Sequence, residues 1–220
     1  MRTRLIVNDL GKKSYHETYN LQLDLVDKRY RGKITDDILL LVEHPSIFTI
    51  GKGGTRANII VPAEKLRREK VRVYESDRGG DITYHGPGQL VGYPILNLKE
   101  YKMDLHWLLH SYEEVFIRML RDVFGLKAMR IPGLTGVWVN NEKIVAIGVG
   151  VKHWITFHGF AFNIAPNLEY FKYIIPCGIA DKGITSMQKL FPEVSLKRKE
   201  MVNLVVKYFA ETFQIEVAGI

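Results

Sequence analysis

The sequence is short of cysteine and of long apolar runs, and each shortage narrows what it can be. One cysteine among 220 residues cannot close an internal disulfide, which points to a reducing compartment, the cytoplasm. Uninterrupted apolar stretches reach only five or six residues, as at 38–42. A helix that spans a bilayer needs about 20, so no membrane span is expected. The basic start holds three consecutive apolar residues, too few for the roughly 7–15 of a secretory core. Zinc-finger spacing, internal repeats, low-complexity tracts and Pro/Ser linkers are also missing. With 46% apolar and 25% charged residues, the chain reads as one globular domain over residues 1–220.

Charge is unbalanced but not concentrated. Thirty-one basic against 24 acidic residues give +7, and the densest basic cluster, SLKRKEM at 195–201, is short. Solvated surface is the plain reading of such scatter. An acidic protein partner is the sharper one, and nucleic acid comes last, because no aromatic RNA-binding string accompanies the charge.

Periodicity sets out the elements. Ser14 and Glu17 have capping-box spacing and Gly32 closes the segment, so the spacing predicts a helix over 14–31. The run at 37–45 reads as a buried strand stopped by a proline. Pro62 opens a short helix to residue 70. VRVYES and LVGYPILNL read as strands, with Pro94 marking an edge or a bulge. Residues 104–124 repeat apolar positions every three or four residues up to Gly125, an amphipathic helix. Two β-rich runs meet at Asn140 and Asn141 as a hairpin, WITFHGFAFNI is a further strand, and 195–213 is a last amphipathic helix. The pattern predicts an α+β fold with helices packed on a mixed or antiparallel sheet.

Two places can carry chemistry. DRGGDITYHGPGQLVGY at 77–93 holds five glycines, each free to adopt positive φ or let a ligand approach the backbone. The spacing is not a dinucleotide fingerprint, because Val91 stands where the third glycine belongs. GKGG at 51–54 is not a phosphate loop either. Tight turns between strands would explain glycines alone, but Arg78, Tyr84 and His85 among them add donors a turn does not need. The second place is Cys177, between Pro176 and Gly178. A lone cysteine is commonly a small buried hydrophobe; at a turn its sulfur can face a cleft. A thiol with a pKa of about 8.5 needs a nearby cation to become a good nucleophile at neutral pH. Lys143 is one candidate, otherwise an ordinary exposed turn residue. His85 and His158 are alternative bases. His106 and His110 stand four apart on a helix, but HWLLH lacks the glutamate of zinc proteases and no third ligand is evident, so no metal is expected. GxSxG is absent, so no serine triad can be assigned.

The string RGGDITYHGPGQLVGYPI resembles the signature of the octanoyltransferases of lipoate biosynthesis, the lipoyl(octanoyl) transferase B family. LLLVEHPSIFTIGK, GVWVNNEKIVAIGV, HGFAFNI and IPCGIADKGITS follow in that family's order, so the resemblance covers most of the chain. Asp81, Phe48 and Lys52 depart mildly from its usual residues. The resemblance implies the fold of the biotin and lipoate protein ligases, a mixed sheet flanked by helices around one acyl-binding cleft. It implies a Cys177–Lys143 dyad. It also implies a substrate pocket of Arg78, Gly79, Gly80, Asp81, Ile82, Thr83, Tyr84, His85, Ala146, Ile147, Gly148, Gly159, Phe160 and Ala161.

The implied donor is octanoyl-acyl carrier protein. The implied acceptors are lipoyl domains of 2-oxoacid dehydrogenases and the glycine cleavage H protein. No cofactor, metal or nucleic acid is implied. An ATP-dependent lipoate or biotin ligase of the same fold is the nearest rival, disfavoured by the PCG motif and the missing GRGR-like loop. A non-catalytic basic binding module is the more distant one.

Overall fold

The structure, a computed structural model, describes residues 4–175 and 182–219. Cys177 therefore lies outside the described residues. In chain order the elements are β1 (Arg4–Lys12), α1 (Tyr15–Tyr30), β2 (Asp37–Glu43), β3 (Ile47–Ile50), α2 (Ala63–Arg68), β4 (Arg72–Glu75), β5 (Ile82–His85), β6 (Gln89–Ile95), α3 (Leu105–Phe124), β7 (Met129–Ile131), β8 (Leu134–Val139), β9 (Glu142–Lys152), β10 (Ile155–Asn163), β11 (Gly183–Ile184), α4 (Met187–Leu190), α5 (Arg198–Phe213) and β12 (Glu216–Gly219).

Among the described residues, the main sheet runs in the order β12-β1-β2-β6-β10-β9-β8-β7, with β11 added beside β9. It is mixed: β1 pairs in parallel with β12 and β2, whereas β2, β6, β10 and β9 pair antiparallel. A smaller sheet, β4-β3-β5, packs beside it. This is the mixed sheet flanked by helices that the resemblance implies. No described helix is long and apolar enough to cross a membrane.

The apolar run of β2 has its cause in burial on both faces. Leu39 and Leu41 join the core under α3 and α5, where Phe116, Phe160 and Phe209 are fully buried or nearly so. Ile38, Leu40 and Val42 join the opposite core with Tyr15 and Val26 of α1. With no face left for water, alternation disappears. The helix ends follow from caps. Ser14 and Glu17 form the expected capping box at α1, a device worth about 1 kcal/mol. Asp104 accepts from the His106 and Trp107 N–H groups at α3, and Gly125 ends that helix in the left-handed region at φ 65°. Pro62 caps α2 from outside it, and α5 begins three residues later than expected, at Arg198.

Pro94 requires a correction. It lies in β6 between β2 and β10, not at a sheet edge. The ladder to β10 lapses between the Gly92–Phe160 and Asn97–Ile155 pairs, opposite His158. His158 takes φ 55° and donates its backbone N–H to Gln22 Oε1 of α1 at 2.7 Å. The missing proline N–H is thus absorbed by a local break in the opposite strand.

Candidate active site

Lys143 stands next to an irregularity. Val137 of β8 faces Val145 of β9, but Trp138 faces Lys143, so Ile144 is an extra residue in β9. Such bulges re-aim the neighbouring side chain. Gly136, at φ 126°, lies where an added Cβ would meet the Val145 carbonyl and the Lys143 side chain. The Lys143 ammonium sits 4.8 Å from the centre of the Trp138 ring, whose indole N–H donates to the Leu134 carbonyl. A cation over an indole face gains roughly 0.5–2 kcal/mol. β11 pairs with this stretch, Ile184 beside Lys143, and the Thr185 N–H donates to the Lys143 carbonyl at 3.0 Å.

From Lys143 a cavity of about 320 Å³ runs over the sheet beneath β5. Its walls are Ala146, Ile147 and Gly148 of β9, Gly159, Phe160 and Ala161 of β10, and Ile82, Thr83 and His85 of β5, with Arg78, Gly80 and Asp81 from the loop before it. The sheet register explains the juxtaposition, since Ala146 faces Ala161 and Gly148 faces Gly159. Gly79 and Tyr84 are not on the wall. The Gly79 N–H donates to the Val149 carbonyl. Tyr84 is buried in the core of the small sheet, stacked on Tyr170 at 4.9 Å. The Arg78 guanidinium donates to the Thr49 carbonyl at 2.5 Å, to Thr49 Oγ1 and to the Gly79 carbonyl. The Asp81 carboxylate accepts from Asn58 Nδ2 and the Ile82 N–H. Gly92 has a different task from ligand access: the Phe160 ring occupies the space its Cβ would need.

The two ends of the cavity differ. At the Lys143 end, Gly133 and Thr135 are exposed. At the other end, Tyr15, Tyr93 and His158 are buried. His44 Nδ1 donates to the Lys13 carbonyl at 2.7 Å, which leaves Nε2 to accept from the Tyr93 hydroxyl at 2.8 Å. Burial pulls the His44 pKa down to about 4, against that hydrogen bond. His85 is pushed well below the ordinary histidine range, first by burial and then by His44 and Arg78. Its Nδ1 meets Gln89 Oε1 at 3.2 Å, and its ring stacks on Tyr15. His158 is pulled down to about 4 by burial, with Asp77 opposing. Its Nε2 lies 2.8 Å from Asp77 Oδ1. Burial works against the Asp77 carboxylate, yet hydrogen bonds from His158 and Tyr19 hold its pKa below the usual range.

His158 is therefore at the far end from Lys143. Tyr15, Tyr93, Asn163, Ile174 and Ile184 also line the cavity and were not anticipated. Asn163 next to HGFAF was the most legible of them; the two tyrosines come from elements whose pattern only marks core. His106 and His110 lie along a separate surface groove beside α3.

The model of the lipoyl protein ligase A/B catalytic domain matches residues 14–210. An octanoyltransferase of Caldicellulosiruptor bescii is 48% identical over 205 residues, 93% of this chain and 89% of the relative. One from Alkaliphilus metalliredigens is 40% identical over 216 residues, 97% of each. A bipartite lipoate protein ligase of Thermoplasma acidophilum, described with its E2 lipoyl domain, is similar in structure with TM-score 0.71 at 18% identity, covering 100% of this chain and 88% of that one. A biotin protein ligase of Aquifex aeolicus in complex with biotin and ATP has TM-score 0.57 at 16% identity, covering 96% and 70%.

Proposed function

The chain belongs to the lipoyl protein ligase A/B catalytic domain family and to its octanoyltransferases, and from that premise we propose that it moves an octanoyl group from octanoyl-acyl carrier protein, through a thioester on Cys177, to a lysine of a lipoyl domain. It is an acyltransferase. The observation that carries the reading is an apolar-walled cavity with Lys143 at its open end. Ile174 and Ile184, on either side of the stretch that holds Cys177, are both in its wall.

In this reading the Cys177 thiolate, stabilised by the Lys143 ammonium, attacks the thioester carbonyl. The carbon–sulfur bond to the carrier breaks, and the departing thiolate takes a proton from Lys143. The neutral amine of the acceptor lysine then attacks the acyl-enzyme. A carbon–nitrogen bond forms, the bond to Cys177 breaks, and Lys143 takes back the proton that the nitrogen loses. The donor is already an activated thioester, so no ATP is spent. Burying the tail contributes about 0.8 kcal/mol per CH₂, which makes the cavity a selector of chain length. Acceptors are lipoyl domains of 2-oxoacid dehydrogenases and the glycine cleavage H protein, and the setting is the cytoplasm. The +7 charge would steer acidic partners.

The test is mass spectrometry of the protein after mixing with octanoyl-acyl carrier protein. One octanoyl group on Cys177, discharged by an added lipoyl domain and missing in Cys177→Ala, is the expected result. No adduct, or one that persists in the variant, overturns it.

A further inference from the structure

The transfer chemistry needs Cys177 beside Lys143, and the chain is anchored on both sides of that cysteine. Downstream, Ile184 pairs with Lys143, and the Thr185 N–H donates to the Lys143 carbonyl. From Gly183 back to Cys177 is six residues, a reach of about 20 Å, so this tether is long. Upstream it is short. Ile175 stands two residues before Cys177, a reach of about 7 Å. The hold on Ile175 therefore sets how near the sulfur can come to Lys143.

That hold comes from a 3-10 turn, Arg56–Asn58, and the residues after it. The Ile175 N–H donates to the Asn58 carbonyl at 2.9 Å, the Ile60 N–H donates to the Tyr173 carbonyl at 2.9 Å, and Ile59 pairs with Ile174. A pairing this short is marginal without further support. The Asn58 side chain supplies it. Its Nδ2 donates to both oxygens of the Asp81 carboxylate, at 2.9 Å each. Hydrogen bonds to a charged acceptor are the strong kind. Asp81 Oδ1 also accepts from the Ile82 N–H at 2.6 Å, which ties the carboxylate to the start of β5. Gly54 leaves room for it, since an added Cβ there would collide with Asp81 Oδ1. Asp81, Ile174 and Lys143 all line the acyl cavity, whereas Asn58 is behind its wall.

Resting on the reading above, we propose that Asn58, gripped by Asp81, is a positioning residue for the nucleophile. Through its backbone carbonyl it fixes Ile175, and so keeps Cys177 within reach of the Lys143 ammonium. This gives the Gly-rich turn at 51–54 and the Asp81 carboxylate a task in the reaction.

The pH midpoint of Cys177 alkylation by iodoacetamide reads the thiol's closeness to the ammonium with no octanoyl substrate present. In Asn58→Ala the midpoint should rise towards the ordinary thiol value of about 8.5. Single-turnover acylation by octanoyl-acyl carrier protein should slow by about 10–100-fold, the scale of a small misplacement. Rescue separates positioning from plain loss of stability. Asn58→Asp alone sets two carboxylates against each other and should raise the midpoint as well. Joined to Asp81→Asn, it rebuilds the pair with donor and acceptor exchanged, and the new amide oxygen can still accept from the Ile82 N–H. The midpoint should then return towards the wild-type value. An unchanged midpoint in Asn58→Ala, or no recovery in the double variant, overturns the proposal. A wild-type midpoint already at about 8.5 removes the Cys177–Lys143 pair, and the anchor falls with it. If the low midpoint depends on Asn58 while no octanoyl group moves from carrier to lipoyl domain, the proposed function fails and the anchor stands.

Discussion

The two ends of one cavity are built to opposite rules. At the Lys143 end a cation lies against an indole, beside exposed Gly133 and Thr135, so charge is kept where water can reach it. At the far end His44, His85 and His158 are buried and held neutral, with Tyr15 pushed up to about 12 by the same burial. Charge is cheap at the mouth and expensive at the floor. The difference teaches why, in the proposed reaction, the proton carrier is the lysine at a strand bulge and not one of the better-known histidine bases.

Acid separates the ends most strongly. His44 and His158 bind protons more weakly folded, with values near 4, than unfolded, near 6.5. The unfolded chain takes up more protons in that window, so stability present above pH 6.5 is lost as pH falls towards 4, by up to ~3 kcal/mol for each histidine. Thermal unfolding from pH 7.5 to 4.5 measures this, and His44→Gln should flatten the slope. An unchanged melting temperature would mean these rings are not held neutral.

At the mouth, Lys143→Ala should cut octanoyl transfer by about 10³-fold, within the range for loss of a general acid–base, with the melting temperature little changed. Wild-type rates in that variant would remove Lys143 from the chemistry. Between the ends, Ala146→Trp should fill the slot and lower octanoyl transfer about 50-fold, roughly the burial of three CH₂ groups. Relative activity towards butanoyl thioesters should rise, and an unaltered chain-length profile would place the tail elsewhere. The smallest effect concerns support of the mouth. Gly136→Ala forces a Cβ at φ 126° towards Val145 and Lys143, which should cost about 1–3 kcal/mol in denaturant unfolding and slow transfer as well. Full stability with full activity would show that the bulge does not depend on this glycine.

What the sequence made legible was local. The capping box at Ser14 and Glu17, the αL glycine after α3 and the double-asparagine turn at 140 and 141 each have a cause within a few residues. The unanticipated parts depend on contacts far along the chain. β12 pairs with β1 across nearly the whole sequence, and the short strands β3 and β5 find each other without a pattern of their own. His153 and Trp154 turn between β9 and β10 with positive φ at both, although neither residue is a usual turn former. Pro94 read as an edge or a bulge because a proline N–H cannot join a ladder, and the break at His158 explains its place inside the sheet. At the site, the signature glycines and Lys143 were visible. Tyr15 and Tyr93 of the floor were not, because a buried tyrosine in a helix or strand looks the same whether it packs against protein or closes a cavity.

The central claim is that the Lys143 ammonium at the mouth keeps Cys177 ionised. The rate of alkylation of Cys177 by iodoacetamide, followed against pH in the wild type and in Lys143→Met, tests it most directly. The account predicts a midpoint below the ordinary thiol value of about 8.5 in the wild type, raised by roughly one pH unit or more in the variant. The same midpoint in both proteins would contradict it.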